Sequence, residues 1–135
     1  MAVARESILA LLEETDGRSE LYDGELREKP SMSVGHNRTM RRLVRQLIPQ
    51  LPEANFDVLQ NAGHTAIPGG NSYIPDVAIV RAESVAALGE DLSTFERYLD
   101  PFPLIVEIWS PSTGRYDIDR KLPGYQARGD LEIWC

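Results

Sequence analysis

Two short apolar runs, each broken by a single acid, constrain this chain more than any other feature. Tyr73-Ile74-Pro75-Asp76-Val77-Ala78-Ile79-Val80 and Leu104-Ile105-Val106-Glu107-Ile108-Trp109 both read as strands buried in a sheet. An ionised carboxylate in such a run is costly unless a cation or hydrogen-bond donors compensate it. Alternation puts Asp76 on the face shared by Ile74, Ala78 and Val80, and Glu107 on the face of Ile105 and Trp109. If the two strands are neighbours with these faces aligned, the carboxylates converge. Together with Lys121 they form the smallest set that can hold Mg²⁺ and handle a water attacking a phosphodiester. The plainer readings are a strand-edge acid bonded to a loop for Asp76, a structural ion pair for Glu107 and an exposed helical lysine for Lys121.

Around these runs the pattern alternates helix and strand. Ile8, Leu11 and Leu12 fall on one helical face, and Asp16-Gly17 ends that element. Asp23-Gly24 inside Glu20-Leu21-Tyr22-Asp23-Gly24-Glu25-Leu26 predicts a tight hairpin. From Asn37 to about Ile48, Met40, Leu43, Val44 and Leu47 follow the period of an amphipathic helix, which Pro49 and Pro52 stop. Its other face carries Arg38, Arg41, Arg42 and Arg45, either a solvated stripe or a contact for a phosphate backbone. Phe56 to Gln60 reads as a strand and Gly63 to Ser72 as a loop. A weakly helical connection, the strand after Pro101-Phe102-Pro103, a helix between Asp117 and Arg128, and a last strand at Leu131-Glu132-Ile133-Trp134 follow. A strand, a helical connection and another strand require a crossover, so we expect a mixed sheet flanked by helices.

The 135 residues fit one domain, and no apolar run is long enough to span a bilayer or serve as a signal, so a cytoplasmic location is expected. The only cysteine is Cys135, which leaves no internal disulfide. A formal charge of −7 opposes tight nonspecific binding to nucleic acid, although a local basic stripe can outweigh the mean. His36 and His64 show no zinc spacing. For His36 two readings stay open: lining the cleft beside the arginines, or a hydrogen bond at the helix start. Trp109, Trp134 and Tyr125 read as core aromatics, and the hydroxyls of Ser110 to Thr113 as caps rather than nucleophiles.

One constellation is more specific. Glu20-Leu21 with Asp23-Gly24-Glu25-Leu26, His36, Pro75-Asp76-Val77, and Val106-Glu107 followed by Ser110-Pro111-Ser112-Thr113 stand in order along the chain. Tyr116-Asp117, Lys121-Leu122, Tyr125, Gly129 and Glu132-Ile133-Trp134 continue it. In this the chain resembles the Uma-two family of restriction-endonuclease-like proteins, a branch of the PD-(D/E)XK nuclease superfamily. The resemblance implies an α/β restriction-endonuclease-like fold with an αβββαβ-type core and an N-terminal hairpin. It further implies cleavage of duplex DNA dependent on Mg²⁺, with Mn²⁺ able to substitute, and a homodimer.

By the same resemblance Asp76 and Glu107 are metal ligands. Lys121 takes the role of the superfamily lysine, whose usual place two residues after the glutamate is held by Trp109. Glu25 is the further acid, with Glu20 behind it. The candidate DNA contacts, Arg38, Arg41, Arg42, Arg45 and His36, come from the helix face rather than from the resemblance. Two departures stand out. Pro123-Gly124 replaces helix formers, so the helix is expected to begin late, near Asp119, or to bend. The chain also stops at Trp134-Cys135, where family members continue, which implies a single domain over 1–135 without the usual C-terminal end. A decayed nuclease fold serving as an interaction or dimerisation module, and a nuclease acting on RNA, are the alternatives.

Overall fold

The computed structural model describes residues 5–14, 18–89 and 96–135. The expected helix stop at Asp16-Gly17 lies outside them. Helix α1 (Arg5–Glu13) packs Ile8 and Leu12 against Leu21 of the hairpin formed by β1 (Ser19–Tyr22) and β2 (Glu25–Glu28). The turn needs two residues with positive φ, and Asp23 at 49° and Gly24 at 80° provide them.

Helix α2 (Val34–Leu47) starts three residues earlier than its apolar period predicts, because the Ser33 hydroxyl caps it by accepting the His36 N–H at 3.1 Å. A 3₁₀ turn containing Pro49 closes it. Strands β3 (Phe56–Gln60), β4 (His64–Ala66), β5 (Ser72–Tyr73) and β6 (Val77–Arg81), helix α3 (Ala82–Leu88), and strands β7 (Arg97–Tyr98) and β8 (Leu104–Val106) follow. The segment read as a loop from Gly63 to Ser72 therefore contains β4, whose buried His64 and Thr65 carry no apolar alternation to betray a strand.

The strands form two sheets rather than one. The order β2-β1-β5-β4-β7 makes the first and β3-β6-β8-β9 the second, with β9 at Glu132–Trp134. The run read as a single strand from Tyr73 to Val80 is shared between them. Pro75 has no N–H for a ladder, and Ile74-Pro75-Asp76 passes from β5 in one sheet to β6 in the other. In the second sheet β3, β6 and β8 are antiparallel, and β9 joins β8 in parallel. Counting α2, these three strands, the helix after β8 and β9 yields the expected αβββαβ core.

Alternation along β6 and β8 sorts the interior. Ala78, Val80 and Ile105 meet Tyr73, Tyr98, Phe102 and Tyr125 on one face, and Val77, Ile79, Leu104 and Val106 meet Met40 of α2 on the other. The helix after β8 is continuous from Gly114. It comprises α4 (Gly114–Tyr116), a π-helical turn over Asp117–Lys121 and α5 (Leu122–Arg128). The expected late start near Asp119 does not occur. Pro123 cannot donate to the preceding turn and its ring clashes with a carbonyl in the α register, so the wider turn before it accommodates the ring. Gly124 fits where a Cβ would lie 2.9 Å from the buried Tyr73 ring, and Gly129, at φ 89°, terminates the helix.

Trp109 and Trp134 are not core residues: they are 62% and 44% exposed, because β8 ends at Val106 and β9 is the sheet edge. Tyr125 is fully buried. Among the described residues no helix is long and apolar enough to cross a membrane.

Candidate active site

The register of β6 and β8 places the two acids. Val77 pairs with Val106 in an antiparallel ladder, so Asp76, one residue before, and Glu107, one residue after, stand opposite each other where the ladder frays. Both carboxylates are buried and both line one narrow cleft. Its walls also hold Glu20, Arg27, Lys29, Asp117 and Lys121. The conjunction of Asp76, Glu107 and Lys121 expected from sequence is thus present.

Lys121 reaches the cleft from the π turn and is fully buried. Its ammonium lies 2.6 Å from Glu107 Oε1, 2.7 Å from Glu20 Oε2 and 3.2 Å from the Ile74 carbonyl. Asp117, four residues earlier, stands 3.9 Å away. The Tyr125 hydroxyl donates to Glu107 Oε1 at 2.7 Å, and the Glu107 N–H donates to the Trp134 carbonyl at 2.8 Å. Burial works to lower the Lys121 pKa, but Glu107, Glu20 and Asp117 outweigh it and hold the amine protonated above its ordinary range. For Glu107 burial dominates: its pKa rises to about 7, opposed by Lys121 and Lys29 and reinforced by Asp76 and Glu20.

Asp76 is held differently. Its Oδ2 accepts the Ile108 N–H at 2.7 Å and faces His36 Nε2 at 3.2 Å, while Oδ1 lies 3.2 Å from Lys29 Nζ. Burial acts to raise its pKa, but Lys29, the Ile108 N–H and His36 together keep it below the usual value. These partners are close because Ile74-Pro75-Asp76 lies between the hairpin sheet and α2. His36 is consequently buried against Asp76 and does not face outward with the arginines; its Nδ1 has no hydrogen-bond partner.

Glu25 does not contribute. It is exposed at the hairpin tip, paired across the turn with Tyr22 and outside the cleft lining. Glu20 of β1 is the hairpin acid that enters: its Oε2 lies 2.7 Å from the Lys121 ammonium and accepts the Ile74 N–H at 2.8 Å. Both acids lie on one face of the hairpin, since Glu20 pairs with Arg27 and Tyr22 with Glu25; position separates them, Glu20 on β1 beside β5 and Glu25 on the edge strand β2 next to the turn. Lys29 and Asp117 were not singled out from sequence as site residues, and a lysine in Arg27-Glu28-Lys29-Pro30 carries no local mark of a cleft. Arg38, Arg41, Arg42 and Arg45 are exposed along α2, which begins beside the cleft at His36. His64 is buried with Nδ1 3.4 Å from the Ser72 hydroxyl, a structural position. Ser110 Oγ lies 2.6 Å from Thr113 Oγ1, and it is the Ser110 carbonyl, not a hydroxyl, that accepts the Gly114 N–H.

The donor chemistry suits a hard cation. Four carboxylates, of Glu20, Asp76, Glu107 and Asp117, face three cations, of Arg27, Lys29 and Lys121, in the cleft. The surplus negative charge is what Asp76 and Glu20 impose on Glu107. Among the described residues no three acid, histidine or cysteine side chains surround one point. A cation in this cleft would have Asp76 and Glu107 as its opposed pair of carboxylate donors, and Mg²⁺ is the ion that commonly binds through one or two carboxylates.

No curated protein matches the chain. Among solved structures, the crystal structure of "a putative nuclease belonging to DUF820" from Anabaena variabilis superposes with a TM-score of 0.66 at 17% identity. The match covers 86% of this chain and 64% of that one, so the chain spans less than two thirds of that nuclease's length. Both share the fold. The family model of Uma2, described as "Putative restriction endonuclease", matches residues 5–135. With that match over a fold of the αβββαβ type and two opposed acids at its sheet end, the chain belongs to the Uma2 (Uma-two) family.

Proposed function

We propose that the cleft is the active centre of a metal-dependent DNA endonuclease that hydrolyses phosphodiester bonds. The observation that carries this reading is the cross-strand opposition of Asp76 and Glu107, buried beside the Lys121 ammonium. Asp76 and Glu107 hold Mg²⁺ or Mn²⁺, which supplies Lewis-acid charge for activating water and for offsetting charge on the phosphate. The Ile108 N–H and His36 fix the orientation of Asp76, as partners of metal-binding carboxylates do. Lys121 and the Tyr125 hydroxyl fix Glu107 and favour its ionised form when a cation is present. Duplex DNA is the substrate that suits α2, whose arginines lead from the cleft along one exposed face.

Calorimetric titration of Mg²⁺ and Mn²⁺ into the protein, with Asp76→Ala and Glu107→Ala as controls, tests this. Binding by the wild type and at least about tenfold weaker binding by either variant is expected. Cleavage assays on duplex DNA, single strands and RNA then decide the substrate. A second reading has its own support: both acids already have cationic partners within the chain, as in a nuclease fold retained as an interaction module. Equally weak metal binding by all three proteins, with no cleavage, favours that module.

A further inference from the structure

Lys121 is the residue that position and company single out, yet its ammonium is fully engaged. A lysine has three N–H donors, and here they meet Glu107, Glu20 and the Ile74 carbonyl. The side chain is 1% exposed. A phosphate oxygen has no N–H left to take from it.

Lys29 is placed otherwise. It follows β2 at the end of the hairpin, its side chain is 11% exposed, and it lines the cleft. Its ammonium donates to the Ile74 carbonyl at 2.8 Å and to Asp76 Oδ1 at 3.2 Å. Among the described residues these are its hydrogen bonds, which leaves one of its three N–H donors without a protein acceptor at a position lining the cleft. The two ammoniums share one carbonyl oxygen, which is free to accept both because Pro75 takes the segment out of either ladder. One lysine therefore sits behind the acid pair and one at its open side.

We infer that Lys29, not Lys121, is the lysine that contacts the substrate, through a non-bridging oxygen of the phosphodiester, while Lys121 acts as a positioning residue for Glu107. The inference rests on the nuclease reading of the same cleft. Lys29 is the counter-ion of Asp76; were Asp76 to hold a divalent cation, Lys29 would be relieved of that pairing and its ammonium left to the phosphate. The contact is electrostatic and one-sided, so it adds to affinity for any sequence.

Three proteins test it: wild type, Lys29→Met and Lys29→Arg, each measured for thermal stability, Mn²⁺ binding by calorimetry, salt-dependent binding of a fluorescent 16-base-pair duplex, and single-turnover cleavage of that duplex in Mg²⁺. For Lys29→Met we expect Mn²⁺ to bind about threefold or more tighter, because its competitor for Asp76 is gone. Duplex affinity falls, the slope of log affinity against log salt decreases by about one, and cleavage slows at least about tenfold. Lys29→Arg regains part of the duplex affinity and of the salt slope. A Lys29→Met protein that cleaves as fast as wild type, or keeps the wild-type salt slope, overturns the inference and leaves the nuclease reading intact. A purely structural lysine would lower stability and move neither Mn²⁺ affinity nor salt slope. If wild type neither cleaves nor binds Mn²⁺, the nuclease reading fails; Mn²⁺ binding gained in Lys29→Met still supports the counter-ion role, and none gained removes that as well.

Discussion

Glu107 and Lys121 are closed off from solvent, and the consequences of that closure are measurable. The Glu107 pKa is raised to about 7 by burial, against 4.5 for the free group. Between these values the folded chain binds the proton that the unfolded chain has released. The sign follows: this contribution to stability is full below pH 4.5 and is lost as pH rises through about 7. The span corresponds to a loss on the order of 3 kcal/mol. In urea melts with EDTA, wild type is expected to lose this stability relative to Glu107→Gln between pH 4.5 and 7.5. Parallel pH profiles for the two proteins contradict the burial argument. Lys121→Met removes the cation shared by Glu20 and Glu107, and a loss of about 3–5 kcal/mol is expected in the same melts at neutral pH. A loss below 1 kcal/mol shows that the acids are not charged together.

The residues that carry this chemistry were unevenly legible. Asp76 and Glu107 stood out because each is an acid in an apolar run, and their opposition follows from two strands being neighbours. Glu20 over Glu25 does not follow from alternation, because both acids lie on one face of the hairpin; it follows from β1, not β2, lying beside β5. Lys29 carried no local mark, and for His36 and Tyr125 the sequence offered a cleft or helix-start position and a core position but not the partner. Their contacts span 47, 40 and 18 residues of chain, which local pattern does not reveal.

At the scale of elements, periodicity revealed α2, β3, β8 and the hairpin, and backbone chemistry set what it missed. Pro75 divides one apolar run between two sheets, and Pro123 widens one helical turn. The π turn matters for the site because it sets the rotation at which Lys121 leaves the helix. Gly124, immediately after Pro123, lets that helix lie against Tyr73 and Ile67. A Cβ there would stand 2.9 Å from the Tyr73 ring and 3.1 Å from Ile67 Cγ2, both buried. Alanine gains about 1 kcal/mol of helix propensity over glycine but overpacks this contact, which costs about 1–3 kcal/mol. Gly124→Ala is thus expected to lower the melting temperature despite favouring helix. A rise shows that the helix has room to move away from the hairpin sheet.

Over the whole molecule, charge is distributed against its average. A chain of net −7 exposes Arg38, Arg41, Arg42 and Arg45 along one helix that begins at the cleft. If that helix tracks a phosphate backbone, Arg41→Ala combined with Arg45→Ala weakens duplex binding, and the slope of log affinity against log salt decreases by about two. Unchanged binding in a fluorescence titration retires the stripe as a DNA contact. The −7 charge is thus an average over a surface whose sign the exposed arginines of α2 locally reverse.

The peptide from Ile74 to Asp76 has a mechanical meaning as well as a chemical one. It is gripped from the hairpin by Glu20 on its N–H and Lys29 on its carbonyl, and from the far helix by Lys121. Glu20 and Lys29 thus form one jaw closing on that peptide. Pulling the hairpin away would strip Asp76 of Lys29 and Lys121 of Glu20 in one movement.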